Sequence, residues 1–244
     1  MTANSPRVVK IADAQRRPRS GVAIGFFDGV HRGHRAVIEG CDTVLTFDRH
    51  PLSVLAPTRA PKLLMDLHRR IATIATLGVS EIVLIPFDRM WATLGAEEFI
   101  DRVLLQRLRP QRVSVGANFR FGANAHGSPD TLRAQAGVHT QVVDLTTVAG
   151  QVVSSSRIRA LVARGDVEQA AQLMCGALER TATRGADGRL HVDSTLAMPA
   201  SGAYQALING QAATVCIGSG GHELLTSTDP AADQISISFL RRLE

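Results

Sequence analysis

Residues 25–34 read Gly-Phe-Phe-Asp-Gly-Val-His-Arg-Gly-His, directly after the apolar run Val22-Ala23-Ile24 and before a stretch with helical potential. Both histidines therefore fall on a strand-to-helix turn, where open α/β sheets bind their ligands. His31 and His34 are three apart and share a face if the second enters the first helical turn. Gly29 and Gly33 remove Cβ atoms where a backbone must bend or a phosphate must come close. A helix N-terminus adds unpaired N–H groups and a positive dipole end. Imidazoles in that setting stabilise negative charge rather than abstract a proton. The alternatives are a chance pair or a metal site, yet zinc takes three or four ligands, and none of Cys41, Cys175 and Cys216 has a partner at ligand spacing. Phosphate binding is the favoured reading, with no resident metal expected.

Two further segments could complete such a site. In Ser154-Ser155-Ser156-Arg157-Ile158-Arg159, serine is a preferred N-cap and the residues after it read as a helix. Capping and anion binding coincide there, because the hydroxyls, the helix end and the guanidinium groups converge. A regular helix cannot aim both Arg157 and Arg159 at one ligand, so one of them is structural. In Val115-Gly116-Ala117-Asn118-Phe119-Arg120-Phe121-Gly122, Asn118 follows a strand and offers a donor and an acceptor without added charge. Arg120 is read as a site residue, the alternative being the surface residue of a packed turn whose phenylalanines are core.

The run ending His31-Arg32-Gly33-His34 resembles the His-x-Gly-His signature of the nucleotidylyltransferase superfamily. Its longer form is similar to the FMN adenylyltransferase (FAD synthetase) branch, usually the N-terminal half of bacterial bifunctional riboflavin kinase/FAD synthetases. Thr46-Phe47-Asp48-Arg49-His50-Pro51, the Val115–Gly122 segment and the Ser154–Arg159 segment resemble three further motifs of that branch, in the right order. The resemblance implies a Rossmann-like fold and transfer of AMP from ATP to FMN, with Mg²⁺ arriving on the triphosphate. It implies that His31 and His34 act on the α-phosphate and the leaving pyrophosphate. Gly25, Phe27, Asp28, Gly33, Ser155, Ser156, Arg157 and Arg159 would line the ATP phosphates, with Asp28 a turn or supporting residue rather than a base. Phe47, His50, Asn118 and Arg120 would border flavin or nucleotide. Three departures stand out: Ser156 replaces a threonine, Arg49 stands where the family usually has proline, and the first helix is short.

Composition narrows the class. With 45% hydrophobic residues in 244, the chain can bury a sizeable core. No apolar stretch approaches a membrane span, and scattered Arg and Pro in the first twenty residues do not form a signal-peptide core, so a cytoplasmic protein is expected. A net charge of +5 could suggest nucleic acid, but the cations are dispersed and aromatics are only 4%. A basic face around a triphosphate explains the charge without a nucleic-acid partner.

The elements that must position these residues alternate. Val22–Gly25, Thr43–Phe47, Glu81–Pro86, Arg112–Gly116 and Thr140–Leu145 read as strands, and Pro61–Leu77, Gly95–Leu108, Pro129–Ala136, Ser156–Arg164 and Val167–Met174 as helices. That βαβα order predicts an α/β fold with a parallel sheet covered on both faces. Only residues 26–42 separate the first two strands, which leaves a helix of about two turns, Gly33–Gly40, in a tight crossover. We expect a nucleotide-binding domain over 1–178 and a small antiparallel β module over 179–244.

In that module, Ala203–Ile208, Ala213–Ile217 and Ile235–Leu240 alternate as half-buried strands, and Asn209-Gly210 is a hairpin turn. Against the family pattern it resembles a shortened riboflavin kinase barrel. Residues 180–200 lack the Gly-Arg-x-x-Gly-x-Pro-Thr-Ala-Asn element expected there, so no kinase activity is expected. Gly218–Gly221 has no Gly-Lys-Ser/Thr and reads as a turn. Two other functions stay open: adenylyl transfer to a different phosphate-bearing acceptor such as a modified flavin, and a catalytically inactive nucleotide-binding regulator.

Overall fold

Short, almost continuously apolar strands require cover on both faces, and here they obtain it in a parallel sheet. The computed structural model describes residues 5–135, 138–186, 189–227, 232 and 234–243. The strands are Arg7–Lys10 (β1), Val22–Ile24 (β2), Thr43–Phe47 (β3), Glu81–Ile85 (β4), Arg112–Gly116 (β5) and His139–Val143 (β6). They lie in the order β1-β4-β3-β2-β5-β6, every pair parallel. From β2 the chain steps outward to β3 and β4, then returns to place β5 on the other side of β2. The direction of winding thus reverses beside β2, and the turn that leaves β2 carries the histidine motif. Val22, Ala23 and Ile24 are fully buried, which anchors the turn on a rigid strand.

The helices differ from expectation in instructive places. The motif helix runs Arg32–Ile38, starting one residue early because His31 itself serves as its N-cap. The expected helix Pro61–Leu77 begins only at Leu67 and ends at Ala75. Leu63 is instead paired as an extended residue, its N–H donating to the Thr195 carbonyl at 2.8 Å and its carbonyl accepting from the Ala197 N–H at 2.8 Å. Ala96–Phe99 continues into Ile100–Leu108, which winds more widely with i→i+5 bonds. Pro129–Arg133 is helical behind a Ser128/Thr131 capping box, and the expected last residue, Ala136, lies outside the described residues. The edge strand β1 was not foreseen, since Arg7–Lys10 is half polar.

Residues 62–66 and 148–244 form a second compact unit, distinct from 1–61 and 67–147. The division by packing therefore falls at 147/148 rather than at the expected 178/179. The cause is the helical pair Ser155–Arg164 and Val167–Met174, whose Ile158, Leu161, Val162, Ala170, Leu173 and Met174 share a core with Leu178, Tyr204, Ile237 and Phe239. The β module is a closed antiparallel barrel in the order Leu190–Val192, Glu223–Thr226, Gln211–Ile217, Gly202–Ile208, Gln234–Arg242, Leu178–Arg184. Closure leaves the barrel without free sheet edges. Asn209 and Gly210 both have positive φ, as a tight hairpin turn requires.

Candidate active site

The histidines are built from the turn upward. Phe27 and Val30 have positive φ, an uncommon state for side chains of that bulk, and Gly29 does so without strain. Phe27 and Asp28 are buried, and the Val30 N–H closes the turn on the Phe27 carbonyl at 3.1 Å. Gly25 must lack a Cβ, because one would lie 2.8 Å from the Phe27 ring. The buried Thr46 hydroxyl on β3 donates to the Phe26 carbonyl at 3.2 Å, tying the turn to the neighbouring strand.

His31 Nδ1 accepts the His34 backbone N–H at 3.3 Å. A neutral His31 then carries its proton on Nε2, on the far side of the ring from the bond. The two imidazoles stack with centroids 3.5 Å apart and planes 17° from parallel, and the Phe27 ring meets His34 edge-on at 5.3 Å. His34 Nδ1 is out of solvent and has no hydrogen-bond partner among the described residues. Burial holds the His34 pKa well below the usual imidazole value, with His31 and the Arg70 guanidinium pressing in the same direction. The pair is thus a rigid imidazole stack at a helix start, with His34 held neutral by burial, suited to negative charge that arrives with a ligand.

The loop after β3 borders this turn. The His50 ring meets Phe26 edge-on at 4.8 Å, and its Nδ1 accepts the Leu52 N–H at 3.1 Å. Phe47 packs edge-on against Phe87. Asp48 accepts the Phe87 N–H through Oδ1 and the Arg49 guanidinium through Oδ2, so the Arg49 head group is ion-paired while its side chain stays largely exposed. On the other side of β2, Asn118 is exposed at the end of β5, 3.5 Å from where a Gly116 Cβ would sit. Arg120 is exposed and donates to the Phe119 carbonyl, while Phe119 stacks on buried Phe121, so these rings are core as expected.

Ser155, Ser156, Arg157 and Arg159 lie in the second unit, in the first turn and a half of helix Ser155–Arg164. The cap is Ser154, whose hydroxyl accepts the Arg157 N–H at 3.2 Å. Arg157 is turned back to the carbonyls of Gln151 and Val152, at 3.1 and 3.4 Å. Arg159 instead reaches the Ser156 hydroxyl at 3.4 Å.

Sequence reading missed Arg70. It sits with Ile74 on the buried face of helix Leu67–Ala75, its guanidinium 4.1 Å from the centre of the Phe26 ring and donating to the Phe47 carbonyl. The available signal was a charge at a core-facing helical position.

A family model described as FAD synthetase matches residues 13–157. Among curated relatives, the bifunctional riboflavin kinase/FMN adenylyltransferase of Escherichia coli (strain K12) is 33% identical over 181 residues, 67% of this chain and 57% of that protein. A putative bifunctional riboflavin kinase/FMN adenylyltransferase of Geobacillus thermodenitrificans is 36% identical over 167 residues, 64% of this chain and 90% of that one. The match spans little more than half the length of the Escherichia coli relative. A solved structure described as a macrolide-efflux protein from Streptococcus pneumoniae shares the fold, with a TM-score of 0.83 at 20% identity, covering 97% of this chain and 91% of that one.

Proposed function

Since the chain belongs to the FAD synthetase family, we propose that it transfers the adenylyl group of ATP to the phosphate of FMN, giving FAD and pyrophosphate. The observation that carries this reading is the His31/His34 stack at a helix start beside the sheet's reversal point. An FMN phosphate oxygen attacks the α-phosphorus, the bond from that phosphorus to the bridging oxygen breaks, and the electron pair leaves with pyrophosphate. The acceptor phosphate is already anionic, so no general base is needed, and rate comes from alignment and charge stabilisation. His31, His34 and the helix N-terminus stabilise the charge on the α-phosphate and the leaving pyrophosphate, the two rings holding each other face to face. Ser155, Ser156 and Arg159 hold the outer phosphates on this reading, with Arg157 as their scaffold. Phe47, His50, Asn118 and Arg120 border flavin or nucleotide.

Mg²⁺ enters with the nucleotide. Among the described residues no three His, Cys, Asp or Glu side chains gather as a ligand set, which suits an ion held by phosphates and water. Among the same residues no helix is long and apolar enough to cross a membrane, and the enzyme proposed here is a cytoplasmic one acting on the small molecules ATP and FMN. The proposal includes no riboflavin kinase activity, because the nucleotide-binding element is missing from the first barrel strand and its sequel.

Arg49 favours a second reading of the acceptor. Its exposed cation at the rim of the motif turn suits an acceptor with more negative charge than FMN, such as a modified flavin. The deciding assay supplies Mg-ATP with FMN, and separately with riboflavin, and follows pyrophosphate and flavin products by chromatography. FAD from FMN and nothing from riboflavin is the expected result. FMN appearing from riboflavin would sink the claim of a single activity. ATP binding with no turnover of FMN would shift the assignment to another acceptor or to a regulator.

A further inference from the structure

We infer that Arg70 is a positioning residue for adenylyl transfer, a buried clamp that locks the histidine turn to the loop after β3. This inference rests on the function proposed above. The Arg70 side chain comes from neither loop: it rises from helix Leu67–Ala75 and is 1% exposed. Its guanidinium plane offers two kinds of contact at once, and both are used. The flat face covers the Phe26 ring at 4.1 Å, and Nη2 donates to the Phe47 carbonyl. Phe26 is in the motif turn and Phe47 ends β3, so a single side chain spans the two segments that the proposed function assigns to the nucleotide phosphates and to the flavin or nucleotide. The Phe26 ring passes the constraint on, since His50 meets its edge at 4.8 Å.

Lysine cannot replace this geometry in full, because a point-like ammonium has no plane to lay on a ring while bonding a carbonyl sideways. The Phe26 carbonyl is held independently by Thr46 Oγ1 at 3.2 Å. Loss of Arg70 therefore loosens the turn without erasing it, and misalignment rather than unfolding is the expected defect. Arg70 and His31 are the charged and titratable groups that bear on His34, from the packed helix and from its own element respectively. Arg70 thus also leaves a mark on His34 that can be read without any turnover.

The experiment compares the wild type with Arg70→Met and Arg70→Lys in the full chain. Each is measured for kcat and KM with Mg-ATP and FMN, and for the His34 titration by NMR. Arg70→Met is expected to lower kcat by about 10²-fold, the scale of a small misplacement of reacting groups, with a near-normal KM for ATP. Arg70→Lys is expected to recover part of kcat. The His34 midpoint is expected to rise in Arg70→Met and to fall back in Arg70→Lys, because only the methionine removes the neighbouring positive charge.

A wild-type kcat in both variants, or a defect confined to KM, overturns the inference. If Arg70→Met does not fold, Arg70→Lys decides: kcat several-fold down at unchanged KM supports the clamp, and a wild-type kcat overturns it. If the wild type turns over no FMN, the functional reading fails instead. The clamp is then judged by NMR, where unchanged His34 and His50 signals in the folded variants reject it.

Discussion

Two imidazoles stacked at 3.5 Å repel one another if both are protonated, so the pair admits at most one added charge at modest cost. For His34 the first cause of its lowered pKa is burial, and His31 and Arg70 add to it. The consequence for stability has a definite sign. As pH falls through 6.5 the unfolded His34 takes up a proton and the folded one does not, so stability declines from there down to the folded midpoint. Denaturant titrations at about pH 7 and about pH 5 should show this loss in the wild type and a smaller one in His34→Gln. In the assay, His31→Ala and His34→Ala should each cost about 10²-fold or more in kcat, as removal of a preorganised donor does. Gly25→Ala tests the support of the same ring: its Cβ would meet Phe27 at 2.8 Å, and Phe27 is buried and edge-on to His34. A loss of about 1–3 kcal/mol in stability together with reduced kcat is expected.

Among the elements, helix Ser155–Arg164 separates the two arginines that sequence alone left equivalent. Arg157 is spent on the Gln151 and Val152 carbonyls, and Arg159 extends along the helix to Ser156. Arg159→Ala should therefore raise KM for ATP with little change in melting temperature, whereas Arg157→Ala should lower the melting temperature first. Equal effects of the two on KM would reject the division of labour. The helix and its motif were legible because a serine run, a cap and an apolar spacing agree locally, and the same holds for β2, β3 and β5. Other elements were not legible, for a physical reason. Leu178–Arg184 reads Leu-Glu-Arg-Thr-Ala-Thr-Arg, too polar to suggest a barrel strand, yet Leu178, Arg180 and Ala182 point inward. Arg180 can do so only because carbonyls distant in sequence receive its donors. Arg70 was hidden in the same way, its place in the core secured by an aromatic ring and a carbonyl from other segments.

At the scale of the whole molecule, the second unit is not a continuous piece of chain. Residues 62–66 belong to it although 1–61 and 67–147 do not. Leu64 is fully buried in the core of the barrel unit, and Leu63 forms a two-way backbone pairing with Thr195 and Ala197. The buried Arg180 guanidinium donates to the Leu64 carbonyl at 3.0 Å and to the Ala197 carbonyl at 3.1 Å. A chain of residues 148–244 alone would lose the Leu64 side chain, two backbone bonds and one acceptor of a buried cation. An unsatisfied bond to a charged group costs about 1.5–3 kcal/mol, and removal of a buried leucine side chain about 2–5 kcal/mol, a large share of the stability of a small unit. The isolated 148–244 chain should accordingly unfold at markedly lower denaturant than the same unit within the whole protein. Leu64→Ala in the full chain should reproduce part of that loss. An isolated chain as stable as the intact unit would mean that the inserted strand is only draped on the barrel, and that its core is complete without it.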